Sequence, residues 1–221
     1  MHVIATMHSA FPAKFGIPRQ SGLVDTLRST IVFQPEYRNP DALRRVGGVL
    51  PPLGGVGVFP SGSEHLVPHG PPASAGREHP HGGVCHPVPF RPNPIGLSCV
   101  KIDRVGRHPE LGPVIHVLGA DLLDGTPILD LKPYLPYADA HPEAAGGIHR
   151  QVPRVPVGGE LSTGALGRRS LGEPGGPPGV LAQDPRPSYQ ADPQRVYGMA
   201  FGGQNIRFTV AEGVLTVVAV E

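Results

Sequence analysis

Two clusters of side chains in this chain have the types and spacing for chemistry. The first is polar and sits on stiff backbone: Arg91, Asn93 and Ser98 in FRPNPIGLS, then Asp124, Gly125, Thr126, Lys132 and Tyr134 in ADLLDGTPILDLKPYLPYAD. Pro92, Pro94 and Pro127 each hold φ near one value while Gly96 and Gly125 free it, so the main chain here is shaped and something must sit against it. Taken singly, Asp124-Gly125 reads as a tight turn and Arg91 as a solvated charge. The second cluster is soft: His65, His69, His79, His81, Cys85 and His86 share one stretch, and imidazole and thiolate at such local spacings bind zinc.

The elements that must position these residues are strands. Ser29 to Phe33, Gly96 to Val105, Pro113 to Ala120, Ile128 to Leu131, Val196 to Phe201, Ile206 to Val210 and Val214 to Val220 have the β-branched, partly alternating character of paired strands. Turn residues at Pro12, Gly16, Pro18 and Gly22 break the amino-terminal stretch into short apolar runs. Asp41 to Arg45 (DALRR) is the one short helical turn, capped by Asn39 or Asp41. The chain reads as mainly β, with a domain over residues 1–140, a linker or poorly ordered excursion over 141–178 where Gly, Pro and Arg replace apolar periodicity, and a small β-rich domain over 179–221.

Composition narrows the function classes. The 39% hydrophobic content supports a real core, and the excess of 31 Gly and 29 Pro is confined to two windows. A net charge of +1 gives no global basic field, so contact with RNA has to rest on a local patch, and DNA binding is not indicated. No apolar run is long enough to span a bilayer and no secretory segment follows Met1, which with only two cysteines reads as a cytoplasmic protein. No strand is followed by a GxGxxG turn and a helix, which argues against a doubly wound nucleotide fold.

Four separated motifs, KFGIPRQSGL (Lys14 to Leu23), FRPNPIGLS, DLLDGTPILDLKPY and LAQDPRPSY (Leu181 to Tyr189), stand in an order that resembles the TrmO/TsaA-like family. The resemblance covers Met1 to Arg45, Pro89 to Asp139 and about forty carboxy-terminal residues. It implies a β-barrel that binds S-adenosylmethionine without a Rossmann sheet, a second, smaller carboxy-terminal domain, and a homodimer. The implied activity is methyl transfer to the exocyclic nitrogen of threonylcarbamoyladenosine beside the anticodon of tRNA. Positioning of nitrogen, methyl and sulfur in line dominates such a reaction, with a base or water taking the proton; no single catalytic residue is singled out.

Residue by residue, Gln20, Ser21 and Gly22 match the family's cofactor-contacting PRQPG loop, with Ser21 in place of proline and hence a less rigid turn. Asp124, Gly125, Thr126 and Pro127 match the second cofactor-contacting loop unaltered. Arg91, Asn93 and Ser98 lie in the central motif and shape the site, as do Lys132 and Tyr134, which with Tyr137 and Asp139 complete LKPYLPYAD at the barrel mouth or a subunit contact. Asp184, Arg186 and Tyr189 are expected to hold the small domain together, while Tyr189, Arg195 and Arg207 could stack on bases or meet phosphates.

Between Arg45 and Pro89 the resemblance stops, where the family carries LEGFSHLW, RPPRLGGN and GVFATRS. Codon arithmetic accounts for the gap. Val46 to Leu53, followed by Gly54, can be encoded GTN GGN GGN GTN CTN CCN CCN CTN GGN, and starting one nucleotide later the same bases can spell LEGFSHLW. The same displacement permits RPPRLGGN from Pro71 to Glu78 and GVFATRS from Gly82 to Val88. Residues 46–88 therefore read as an out-of-frame segment, expected to be irregular because its apolar alternation is lost. On this reading the histidine and cysteine cluster is accidental and no metal site is assigned. Two functions stay open: a tRNA methyltransferase, or a non-catalytic β-barrel that binds RNA or nucleotide.

Overall fold

In a computed structural model of the chain, residues 2–43, 54–60, 95–143, 176–187, 190 and 192–221 are described, with 54–60 defined by backbone alone. Seven strands form one sheet: β1 (Ala5–His8), β2 (Arg28–Phe33), β3 (Gly54–Pro60), β4 (Ile95–His108), β5 (Gly112–Leu118), β6 (Pro127–Ile128) and β7 (Asp130–Pro133). Their order is β6-β1-β2-β5-β4-β3-β7 with every pairing antiparallel. The single strand expected over Ile128 to Leu131 is two strands parted at Leu129, because this stretch pairs first with β1 and then with β3. One piece of chain thus meets both edges of the sheet and curls it into a barrel. Inside lie Ala5, Met7, Ile31, Phe33, Val100, Ile115, Val117, Ala120, Leu122 and Ile128, inward-facing residues of the strands and of the turn after β5.

The irregular run expected over 46–88 is corrected at Gly54–Pro60, which is a strand with ladders to both β4 and β7. Main-chain groups make those ladders, so a strand can fill the slot between two neighbours whatever its side chains. The rest of that span, including Arg91 and Asn93 just beyond it and the histidine cluster, lies outside the described residues, as does most of 141–178. The helical turn expected near Asp41 is a 3-10 turn over Pro40–Leu43, with the Asn39 side chain accepting the Asp41 backbone N–H at 2.9 Å.

A second sheet, of order β10-β9-β8, comprises β8 (Tyr197–Phe201), β9 (Gln204–Ala211) and β10 (Val214–Val220). Gly202 and Gly203, at φ of 57° and 80°, form the two-residue turn between β8 and β9, a conformation that matches strand twist and favours glycine. Alternation buries Tyr197, Met199, Phe201, Ile206, Phe208, Val210, Leu215 and Val217 on one face. That face closes on Val180 and Leu181 of a short helix, Pro177–Leu181, and on Phe11, Val24 and Leu27 of the segment between β1 and β2. The second sheet therefore packs directly against the stretch that carries Gln20, Ser21 and Gly22. Phe15 stacks on Phe208 with centroids 6.4 Å apart, and Phe11 meets Phe201 edge-on at 5.2 Å.

Candidate functional site

Asp124 to Pro127 is a loop tied down by its own backbone. The Asp124 N–H donates to the Phe11 carbonyl at 2.8 Å, the Gly125 N–H to Met7 at 2.9 Å, and the Met7 N–H to Thr126 at 2.8 Å. Gly125 sits at φ 77°, where glycine carries no Cβ penalty. The Thr126 hydroxyl is spent within the turn, donating to the Leu123 carbonyl at 2.8 Å. The Asp124 carboxylate accepts the Ser9 N–H at 3.1 Å and faces His8 Nδ1 at 3.4 Å, yet stays about half exposed. It is the charged group this loop offers to a ligand.

The Gln20 to Gly22 loop is held by a different contact. The Gly22 N–H donates to the Gly119 carbonyl at 2.9 Å, and a Cβ on Gly119 would lie 3.2 Å from both Cα and N of Gly22. Glycine at 119 lets these backbones touch, and Gly22 is favoured by its own φ of 78°. Two residues on, the Asp121 carboxylate accepts hydrogen bonds from the Ser98 hydroxyl and from the Ser21 backbone N–H. Burial pushes the Asp121 carboxyl up, and those hydrogen bonds pull part of the way back. Ser21 and Ser98, called from sequence, are thus brought together at Asp121, with Gly22 held beside them at Gly119, and two residues separate Asp121 from Asp124. Gln20 is exposed beside them.

Lys132 and Tyr134 stand elsewhere on the barrel rim. Lys132 Nζ meets Asp139 Oδ2 at 2.6 Å, and the Leu135 N–H reaches the same oxygen at 2.7 Å, which folds the LKPYLPYAD turn onto a short helix, Pro136–Asp139. The Lys132 hydrogen bond holds Asp139 below the usual carboxylate range. Burial raises the Cys99 thiol and Asp139 adds to the rise, so this turn neighbours the residue that follows Ser98. Tyr134 is half-buried and Tyr137 is exposed. In the carboxy-terminal motif Arg186 grips both oxygens of Asp184 at 2.8 Å, the structural role expected of the pair, whereas Tyr189 lies outside the described residues. That bond is the main cause of Asp184's lowered carboxyl pKa, and Arg19 contributes, so this motif faces the Gln20 loop.

Sequence reasoning missed Asp121 and Ser9. The available signal for Asp121 was an acid between Ala120 and Leu122, both buried: a carboxylate there needs donors, and Ser98 and Ser21 supply them. Ser9 carried no such signal, since its hydroxyl serves only the Leu122 carbonyl and the Phe11 N–H.

The tRNA-methyltransferase O N-terminal domain model matches residues 6–140. The chain belongs to the TrmO family. The model of the TrmO C-terminal domain matches residues 178–221. A tRNA (adenine(37)-N6)-methyltransferase of Eikenella corrodens is 42% identical over 170 residues, 74% of this chain and 90% of that one. Its Escherichia coli counterpart is 31% identical across 99% of this chain and 96% of its own. The crystal structure of TrmO from Pseudomonas aeruginosa superposes with a TM-score of 0.73 at 30% identity, covering 100% of this chain and 99% of that one. Both pinned loops, Gln20 to Gly22 and Asp124 to Pro127, lie within the residues matched by the N-terminal domain model.

Proposed function

We propose that this chain is a tRNA methyltransferase that uses S-adenosylmethionine to methylate the exocyclic nitrogen of threonylcarbamoyladenosine next to the anticodon. One observation supports it most: the Gln20–Gly22 loop is pinned through Gly22–Gly119 and Ser21–Asp121–Ser98 to the turn that leads into the Asp124–Pro127 loop, itself pinned to Met7 and Phe11, so both backbones are set before a ligand arrives. The donor set suits the methyl donor, with an exposed Gln20 amide, the Asp124 carboxylate for a positive centre, and main-chain groups for ribose and adenine. When bound, S-adenosylmethionine supplies a methyl group carried on a positively charged sulfur. The residues proposed to hold it are Gln20, Ser21, Gly22 and Asp124 to Pro127, with Ser98 supporting Asp121 and Lys132 and Tyr134 shaping the rim.

The chain's contribution is orientation. A fixed cradle keeps the methyl in line with the incoming nitrogen, whose proton leaves to water or a nearby base. Residues 1–140 form the catalytic barrel in this reading, 141–178 the connection and 179–221 the second domain. The protein works in the cytoplasm as a homodimer: Tyr137 and Leu97, 87% and 60% exposed, offer apolar surface for a second copy. No helix of the described residues is long and apolar enough to cross a membrane.

Calorimetric titration with S-adenosylmethionine, run beside methylation of threonylcarbamoyl-modified tRNA, tests the reading. Binding with turnover supports it. Binding without turnover moves the chain to the alternative, a non-catalytic RNA- or nucleotide-binding barrel, which the departure of residues 46–88 from the family pattern favours. Absence of binding overturns both cofactor loops.

A further inference from the structure

The outer face of the barrel carries a polar row that the cofactor motifs do not use. Register places His8 of β1 beside Thr30 of β2, Thr30 beside His116 of β5, and His116 beside Arg104 of β4. In the adjoining row Arg28 and Lys101 flank Leu118. Four neighbouring strands thus bring basic and hydroxyl-bearing side chains together from positions separated by up to about a hundred residues, an assembly that no local motif announces. A bulge between Ile102 and Arg104 sets Arg104 against His116 instead of letting the side-chain alternation pass it to the other face.

His8, Arg28, Thr30, Arg104 and His116, with the Asp103 carboxylate beside Arg104, line an open hollow of about 240 Å³. At its floor the His116 ring is fixed: Nδ1 lies 3.0 Å from the Thr30 hydroxyl, and a Cβ on Gly106 would come within 3.2 Å of Nε2. Glycine at position 106 leaves the ring its place. Burial and then the Arg104 charge push the His116 pKa down against a rise from Asp103, and the permanent positive charge of the hollow belongs to the arginines. Among the described residues Arg28 has no acidic partner, and Arg104 has only its exposed neighbour Asp103 at 3.3 Å. At the other wall, His8 and Ser9 are the residues that contact Asp124. The hollow therefore adjoins the DGTP loop.

We propose that this hollow holds a backbone phosphate of the tRNA, next to the nucleotide being methylated. Arg28 and Arg104 supply the charge, and the His8 ring together with the one free proton of the Thr30–His116 pair, on the hydroxyl or on Nε2 according to the tautomer, supplies hydrogen bonds to the phosphate oxygens. The inference rests on the tRNA reading above and adds a location to it. A chain of net charge +1 has no diffuse field to draw RNA in, so two arginines converging beside the reaction site are the concentrated charge that binding needs. Phosphate contacts fix register without reading sequence, which suits a site whose target is one base in a folded RNA.

The test is equilibrium binding of tRNA to the full chain at several salt concentrations, for the wild type, Arg28→Ala, Arg104→Ala and Arg28→Lys. Each alanine variant should weaken binding about threefold to tenfold and make the slope of log affinity against log salt shallower by roughly 0.7 to 0.9, while Arg28→Lys keeps most of the slope. Affinity for S-adenosylmethionine should stay unchanged in all three. An unaltered slope, or a wild type that binds no tRNA, overturns the proposal; a parallel loss of S-adenosylmethionine affinity assigns the hollow to the methyl donor instead. Methylation by the wild type is scored separately: salt-dependent binding that responds to Arg28 and Arg104 without methylation removes the activity and leaves the phosphate site.

Discussion

The Ser98 hydroxyl donates a hydrogen bond to the Asp121 carboxylate across 23 positions of sequence, and the Ser21 backbone N–H reaches the same carboxylate from a third segment. One acid therefore ties strand β4, the turn after β5 and the PRQSG loop. Removing it cuts one of the loop's two ties to the barrel and leaves the other, Gly22 to Gly119, in place.

Asp121→Ala should leave the buried Ser98 hydroxyl and the Ser21 N–H without their partner, at a cost of about 1–3 kcal/mol. Affinity for S-adenosylmethionine should fall by about tenfold or more, since the loop must then be ordered by the ligand itself. Urea unfolding and calorimetry on the same preparation separate the two effects. Unchanged affinity in a folded variant would show that Asp121 is no strut.

The same carboxylate makes stability depend on pH. Its folded pKa is raised, mainly by burial, so the stability it contributes is full below the unfolded value and is lost as pH rises through the folded value. Asp184 and Asp139 are shifted the other way, and their stability is lost as pH falls. The contribution of Asp121 is therefore read as a difference: Asp121→Asn should be relatively more stable at about pH 7 than at about pH 4, compared with the wild type in the same denaturant series. A constant difference across that range contradicts the raised pKa.

Much of this arrangement was legible in the sequence where local pattern sets structure. The stretch Val214 to Val220 alternates and is β10, and DGTP is a turn because Gly125 can take the positive φ it needs while Pro127 holds φ near one value. What sequence could not give is which distant residues meet. The split at Leu129 follows from a change of pairing partner, and the Thr30–His116–Arg104 row follows from register and a bulge, none of which a local window contains. Asp121 sat inside a quoted motif but looked like part of an apolar run until its donors, Ser98 and Ser21, came into view.

The packing of the second sheet on the segment between β1 and β2 predicts that distant core changes reach the Gln20–Gly22 loop. Gly16 sits at φ 96°, and a Cβ there would lie 2.6 Å from Met199 Cγ and closer still to its sulfur. Gly16→Ala should lose about 1–3 kcal/mol from backbone strain and the displaced thioether together. Gly16→Ala combined with Met199→Ala should recover the steric part and leave the strain, so the double variant's loss is less than the sum. Additive losses by chemical denaturation would mean the two residues do not meet.

Phe208 is fully buried beneath Phe15 and Tyr197, and Phe208→Ala should cost about 3–5 kcal/mol. Where the variant still folds, S-adenosylmethionine affinity should drop while tRNA affinity changes less, because Phe15 anchors the segment running to Gln20 and no residue lining the arginine hollow belongs to the Phe208 cluster. Equal losses of both affinities would point to global loosening instead.

Residues 46–88 give the last prediction, and it concerns the reading frame. Strand β3 occupies the slot between β4 and β7, a position that in a barrel wants apolar side chains on its inner face. Gly55 and Gly57, which register places opposite Val100 and Ser98, supply none. Read one nucleotide on, the codons from Gly54 to Phe59 admit Val or Ala, Val or Ala, Leu or Trp, Val or Ala, Phe and Phe, an apolar strand directly after LEGFSHLW. The coding DNA should therefore spell those motifs in the displaced frame without a stop, opening near Val46 and closing near Pro89. A chain rebuilt with that segment should melt higher than this one, and its methylation of threonylcarbamoyl-modified tRNA should rise from little or none to readily measured turnover. Stops in the displaced frame, or a rebuilt chain no more stable and no more active, would establish the present residues 46–88 as the working sequence.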